Sequence, residues 1–476
     1  MNEELPKGWA WTKIGEVAET SLGKMLDRAK NTGEHKVPYL RNVNVQWGRI
    51  DLDDVLSMEI PPDKQEFFRL RRGDLLVCEG GEVGRCAIWP GGDSYMAFQK
   101  ALHRVRPFQG IEVKFLLYLF EYLSATGKLL TYATGSTIKH LPQQKLRGIK
   151  FGLPPLAEQR RIVGVLESEL SRLDAAKTLV DKSSARVESL WGAVLEGVVE
   201  GSLLHGPGRH YEYYPVSDCV IVQGGIQKQA KRRPVENKYP FLRVANVQRG
   251  YVDLAEIHEV ELFDGELEKY RLESGDLLVV EGNGSPQHIG RGAMWRGGIA
   301  DAVHQNHLIR LRPTAKFRPE FLELVWNSSF VGRQLRDVAS STSGLMTLSV
   351  AKIKRIKVPL PSVEEQDKIV CIAESWRARV DAARNSAQRV QRRANVLRQA
   401  LLSSAFSGKL VPQDPSDEPA AVLLKKIRSE CAAASKPKRA RRSTTKPLTR
   451  LASTTDVRTP EDPQPVHAGE QTALEF

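Results

Sequence analysis

Three groups of polar side chains recur at matching places in the two halves of this chain, and their types suit the reading of a nucleic acid. The first holds Lys24, Arg28, Lys30 and Lys36, against Gln227, Lys228, Lys231, Arg232 and Arg233 in the later half. The second holds Arg41, Asn44 and Gln46, against Arg243, Asn246 and Gln248. The third is the turn-rich segment Gly135-Ser136-Thr137-Ile138-Lys139-His140, against Ser343-Gly344-Leu345-Met346-Thr347. Arginine and lysine pair with guanine edges, asparagine and glutamine with adenine, and serine, threonine and lysine with phosphate. Each group has a plainer alternative: a basic loop can be a solvated surface, and a strand-end Arg or Asn can satisfy carbonyls.

Signs of catalysis are missing. There is no G-x-x-x-x-G-K-[ST] loop, no H-E-x-x-H and no Asn-Pro-Pro-aromatic tetrapeptide of an amino-methyltransferase. Glu79-Gly80-Gly81-Glu82-Val83-Gly84-Arg85 resembles a phosphate loop, but no helix follows it and its two glutamates repel anions, so it reads as a turn. His304 and His307 are spaced H-x-x-H, yet the first half has Phe98 and Ala101 there, which argues against a metal. The cysteines Cys78, Cys86, Cys219, Cys371 and Cys431 lack CxxC spacing, so neither a zinc site nor a disulfide framework is expected. No cofactor is implied.

The elements that must carry these clusters are duplicated. Pro38-Tyr39-Leu40-Arg41 matches Pro240-Phe241-Leu242-Arg243 and Gly73-Asp74-Leu75-Leu76-Val77 matches Gly275-Asp276-Leu277-Leu278-Val279, both at an offset of 202. Extra residues around Asn283 to His288 raise the offset to 206, where Arg85 meets Arg291, Trp89 meets Trp295 and Gln99 meets Gln305. Short apolar runs between glycine-rich turns predict strands, and Phe115 to Tyr122 and Phe321 to Trp326 predict short helices. Each copy is therefore a mixed α/β (α+β) domain.

The period then changes. Leu153-Pro154-Pro155-Leu156-Ala157-Glu158-Gln159 and Leu360-Pro361-Ser362-Val363-Glu364-Glu365-Gln366 each open a long helix, at an offset of 207. In the first helix Ile162, Leu166, Leu173, Val180, Val187, Leu190 and Val194 form an a/d seam. In the second the seam is Ile369, Trp376, Val380, Ala383, Ala387, Val390, Ala394, Leu397 and Leu401. Proline ahead, acid in the first turn and Gly201 or Gly408 at the end mark the boundaries. The seam's irregularities argue for an antiparallel partner within the chain; helices packed separately onto their own domains are the alternative. Arg160, Arg161, Arg172 and Arg186 are candidate contact residues on the rod's outer face.

The whole chain has 476 residues, 41% of them hydrophobic, with net charge +13 and pI near 9.4, so it can build real cores and suits a polyanion. Nucleic acid comes first and an acidic membrane surface second. The polar N-terminus has no signal-peptide pattern and the longest apolar run, Phe115 to Phe120, is too short for a bilayer. A cytoplasmic protein with no membrane partner is expected.

From Leu5-Pro6-Lys7-Gly8-Trp9-Ala10-Trp11 to about Arg428 the chain resembles the specificity subunit of type I restriction-modification systems. The duplicated Leu-Pro-Pro-Leu-x-Glu-Gln-x-x-Ile-Val opening of a long helix is the most specific mark, followed by Pro-Tyr-Leu-Arg-x-x-Asn-Val. The resemblance implies two target recognition domains, each binding half of a bipartite site on double-stranded DNA. It also implies an antiparallel coiled coil that sets their separation, with methyltransferase subunits, two of them, and restriction subunits supplying the catalysis. The expected layout is domain 1–152, spacer helix 153–204, domain 205–359, spacer helix 360–411 and a tail, 412–476, that is basic and partly disordered beyond one helical piece at Ala420 to Arg428. A protein-binding scaffold built from paired domains is the alternative.

Overall fold

The structure is a computed structural model that describes residues 4–26, 33–136, 139–206, 208, 210–342 and 345–434. Arg28, Lys30, Thr137, Ser343 and the basic run from Lys436 lie outside the described residues. Among the described residues, no helix is long and apolar enough to cross a membrane.

Both domains are built around one fully buried strand, Leu75–Cys78 in the first and Leu277–Val280 in the second. The four residues are apolar without alternation because both faces are covered. Leu75 and Val77 face the core shared with the helix Val113–Ala125, while Leu76 and Cys78 face a second core around Trp89 and Phe98. The strand sits third in the antiparallel sheet Ala18–Leu22, Leu102–Pro107, Leu75–Cys78, Cys86–Ile88. A smaller sheet places Lys36–Leu40 between Leu56–Glu59, antiparallel, and Ala97–Phe98, parallel. The second domain repeats both sheets, with Leu277–Val280 and Lys238–Leu242 in the corresponding places.

The long helices run Leu156–Glu200 and Val363–Phe406, 45 and 44 residues, or about 66 Å each at ~1.5 Å per residue. Both end beside a glycine with left-handed backbone, Gly201 at φ +84° and Gly408 at φ +70°. The pair is antiparallel. Arg384 bonds Glu188 (2.7 Å), Gln391 bonds Asp181 (2.8 Å) and Arg398 bonds Asp174 (3.0 Å), so each step of seven forward on one helix is a step of seven back on the other.

The expected seam is corrected in its middle. Leu190, Val390 and Leu397 are 44%, 43% and 50% exposed, and Leu173, Val180 and Val187 are only half-buried. Two helices with no third layer cover only the facing stripe, and here polar rungs share that stripe. Val380 is buried as the seam requires, and otherwise full burial returns at the rod's ends, where the domains clamp on. Ile162, Leu166 and Leu170 join Leu402 and Ala405 in the first domain's core, and Val194, Leu195, Val198 and Val199 join Ile369 and Ala373 in the second's. Each domain therefore sits on the start of one long helix and the end of the other.

The segment 412–434, expected as part of a tail, is part of the first domain. Ala420–Ala434 is a helix whose Ala420, Leu424 and Ile427 are buried in that core. Asp417 forms an ion pair with Arg161 (2.6 Å), and the Ala420 amide donates to the Gly8 carbonyl (2.9 Å). Arg161 thus joins the first long helix to the segment that follows the second, which removes it from the outer-face candidates. Arg172 pairs with Glu169 along its own helix, and Arg160 and Arg186 are exposed. Replacing Ile427 with alanine leaves a cavity in this core and should cost about 2–4 kcal/mol, against about 1 kcal/mol for Ile427→Val. Denaturant unfolding of the two variants checks this; equal, negligible losses would mean that the helix only rests on the surface.

Candidate nucleic-acid interface

In the first domain the strand Lys36–Leu40 delivers the second polar group, and its neighbour Ala97–Phe98 ends in a sharp turn through Gln99 to Leu102. Backbone bonds from that turn gather the surrounding segments. Gln99 donates to Leu40 (2.9 Å), Lys24 to Phe98 (2.9 Å), Lys100 to Lys24 (3.0 Å) and Glu79 to Ala101 (2.9 Å). Leu141 then donates to Glu79 (2.7 Å) and Gly80 bridges His140, which brings in the third polar segment. The second domain repeats the pattern through Gln305 to Leu242, Ile226 to His304, Asn306 to Ile226, Glu281 to His307 and Leu348 to Glu281. Three groups far apart in sequence thus meet at one edge of each domain.

The approach is so close that only glycine fits beside the turn. A Cβ on Gly23 would lie 2.3 Å from the Gln99 carbonyl oxygen, and one on Gly225 2.3 Å from that of His304. The hub turn itself, Gln99-Lys100 in one copy and Gln305-Asn306-His307 in the other, went unassigned in the sequence. The available signal was the matched glycines Gly23 and Gly225, together with Gln99 facing Gln305.

The structure sorts the candidates into those that build the edge and those that stand on it. Asn44 and Asn246 are corrected: both are buried, and their side chains close a small helical turn. The Asn44 Oδ1 accepts from the Arg41 amide (2.9 Å) and its Nδ2 donates to Asp51 and Asp54 carbonyls; Asn246 does the same with Arg243, Asp253 and Glu256. Their hydrogen-bonding capacity is filled locally, so neither reaches a base. Gln46 and Gln248 donate to the carbonyls of Val43 and Ala245, which stiffens the same turn. Arg41 and Arg243 reach outward to exposed carboxylates, Asp54 (2.5 Å) and Glu256 (3.0 Å). Lys139 bonds the Gly135 carbonyl, Ser136 is exposed, and the backbone of Thr347 pairs with Gly282 and Ser340.

In the second domain Lys228, Arg232, Arg233 and Arg243 line one groove of about 620 Å³. Arg232 anchors it, with both terminal nitrogens 2.7 Å from the Glu266 carboxylate and its guanidinium 4.6 Å from the Phe263 ring centre. That ion pair pulls the Glu266 carboxyl down to about 2. His258, then Arg243, hold Glu256 below the usual carboxylate range. Lys228, Lys231 and Arg233 are exposed around the groove, with the Lys231 ammonium 5.5 Å from the Phe263 ring. Such an edge of guanidinium and ammonium groups can bind phosphates and base edges.

A family profile described as type I restriction modification DNA specificity domain matches residues 6–187 and again 210–389. The chain is 27% identical over 464 residues to the type I restriction enzyme EcoKI specificity subunit of Escherichia coli (strain K12), covering 92% of this chain and 99% of that one. It is 26% identical over 450 residues to the StySPI specificity subunit of Salmonella potsdam, covering 90% and 96%. A structure solved in work on complex assembly and conformational transition of the type I R-M system shares the fold, with a TM-score of 0.67 at 19% identity, over 86% of this chain and 100% of the other.

One difference beneath the edge has a measurable effect. At the base of the hub the first domain buries Phe98, with the Arg104 guanidinium 5.6 Å from its ring centre, and the second buries His304 next to Arg310. Burial, then the Arg310 charge, pushes the His304 pKa down to about 3. The unfolded chain takes up a proton near pH ~6.5 while the folded chain does not, so stability is intact above that pH and falls as pH drops towards 3. His304→Phe, the residue of the first copy, should remove this loss and gain about 2 kcal/mol over the natural chain between pH 7.5 and 5. Urea unfolding at the two pH values measures it, and an unchanged difference would contradict a neutral buried imidazole.

Proposed function

Because the chain belongs to the family of type I restriction-modification DNA specificity domains, we propose that it is the DNA-recognition subunit of such a system, with each domain reading one half of a bipartite duplex site. The observation that carries the reading is the hub edge, built twice on the same backbone bonds at opposite ends of one antiparallel rod, with different side chains on it. A shared scaffold with divergent surfaces is what two different half-sites require. Lys24, Lys139, Ser136 and Arg41 in the first domain, and Lys228, Lys231, Arg233, Arg243 and Thr347 in the second, are proposed to face the duplex, with Arg232 supporting the second groove. Arg28, Lys30, Thr137 and Ser343 belong to the same segments. The rod sets the unread gap, and methyltransferase and restriction subunits supply the chemistry.

Two measurements test this. Affinity for duplex DNA should fall steeply with salt, since each neutralised phosphate contributes about −0.9 to the log–log slope; salt-insensitive binding would favour a scaffold for proteins. Inserting seven residues into both long helices between the Gln391–Asp181 and Arg398–Asp174 rungs preserves the ladder and lengthens the rod by about 10.5 Å, or about three base pairs at ~3.4 Å each. Sequencing of methylated adenines should show the gap lengthened accordingly, and an unchanged gap would refute the ruler. The isolated chain is expected to transfer no methyl group.

A further inference from the structure

The two copies differ in charge where each domain meets the rod. In the first, Trp47 donates to Glu82 (2.6 Å) and Arg85 lies 3.4 Å from the same carboxylate, so the site is neutralised. The second copy keeps the backbone: Gly48 and Gly250 both have positive φ and donate to Cys86 and Gly292, and Gly84 and Gly290, both with positive φ, approach Leu129 and Leu335. The side chains change. Arg249 replaces Trp47, His288 replaces Glu82 and Arg336 replaces Leu130, while Arg291 keeps the place of Arg85.

Arg249 and Arg336 line a cavity of about 790 Å³ between the second domain and the rod, walled also by Trp191 and Tyr251. Its three carboxylates pair with other arginines, two of them also in its wall: Glu188 and Asp381 with Arg384, and Glu323 with Arg377 and with Arg296. Arg249 bonds a carbonyl, that of Gln287 (3.1 Å), and Arg291 bonds those of Val247 and Val244. Desolvation, then the charges of Arg291 and Arg336, lower the Arg249 pKa from the usual arginine range. Like charges held near one another while the neighbouring carboxylates pair with other arginines favour an anion between them, and guanidinium pairs phosphate through two parallel bonds.

We propose that this cavity is a phosphate-binding site, in which Arg249 and Arg336, backed by Arg291, hold a phosphate group while Trp191 and Tyr251 wall the space beside it. The phosphate comes either from the duplex backbone between the half-sites or from a free nucleotide. Binding of a free nucleotide would not depend on the proposed DNA reading.

Calorimetric titration of the full chain with pyrophosphate tests the site. The natural chain should bind it. Arg249→Trp and His288→Glu, which install what the first domain carries at the same backbone positions, should each weaken binding by about tenfold or more, equivalent to about 1.4 kcal/mol, with thermal unfolding unchanged. If Arg249→Trp also lowers affinity for a long duplex and reduces the salt slope by about one phosphate, the ligand is DNA; if duplex affinity is unchanged, it is a free nucleotide. Absent pyrophosphate binding, or equal binding by all three chains, overturns the proposal. So does weakened association with a methyltransferase subunit when pyrophosphate binding is unaffected, which would make the patch a protein contact.

Discussion

A buried glutamine at the start of each long helix joins rod to domain, and the geometry of the molecule follows from it. Gln159 and Gln366 are fully buried. Each donates through Nε2 to a carbonyl five residues back, Pro154 and Pro361 (3.0 Å each), and accepts through Oε1 from the amide that opens the domain's apolar helix, Glu112 (3.0 Å) and Arg318 (2.7 Å). A buried amide is tolerable only when its donors and acceptor are filled, so the contact specifies both distance and direction. Apolar packing alone would let the domain slide or turn on the helix. The glutamine fixes where the rod leaves the domain.

The adjoining glutamate shows how one motif serves two settings. Glu158 accepts from the Trp9 indole (3.0 Å), tying the N-terminal segment to the rod, and burial leads the influences that raise its pKa. Glu365 closes the capping box with Ser362 and lies 2.9 Å from His205, in the segment that follows the first helix. In both places the chain arriving from the other helix, or its counterpart, docks beside a helix start, which gives the two ends of the molecule the same construction.

Much of this was legible in the sequence because it depends on local patterns. Helix limits followed from proline, acid and glycine, and the repeat followed from matched strands. The weak middle of the seam was not, because heptad spacing records which residues face one another and not whether a third element covers them. Asn44 and Asn246 read as surface groups because a cap and a base-reading residue have the same chemistry; only the carbonyls of Asp51 and Asp54, or Asp253 and Glu256, distinguish them. The helix Ala420–Ala434 was visible as a helix, but its place in a domain more than 250 residues earlier is a long-range contact that periodicity does not encode. The three polar groups were found as separate segments, and their meeting point was hidden because backbone atoms form it.

The first domain's core has consequences for biosynthesis. Its apolar contacts include Leu402, Ala405, Val411, Leu424 and Ile427, whereas the buried core of the second domain spans Val194 to Ala373. During synthesis the later domain therefore has all the buried residues of this core before the earlier one has those of its own. Domains made in order ordinarily fold in order. Here a nascent chain that has reached Ala373 holds every buried residue of the later domain's core and still lacks Leu402, Ala405, Val411, Leu424 and Ile427 of the earlier one, so that core stays partly uncovered until they are added.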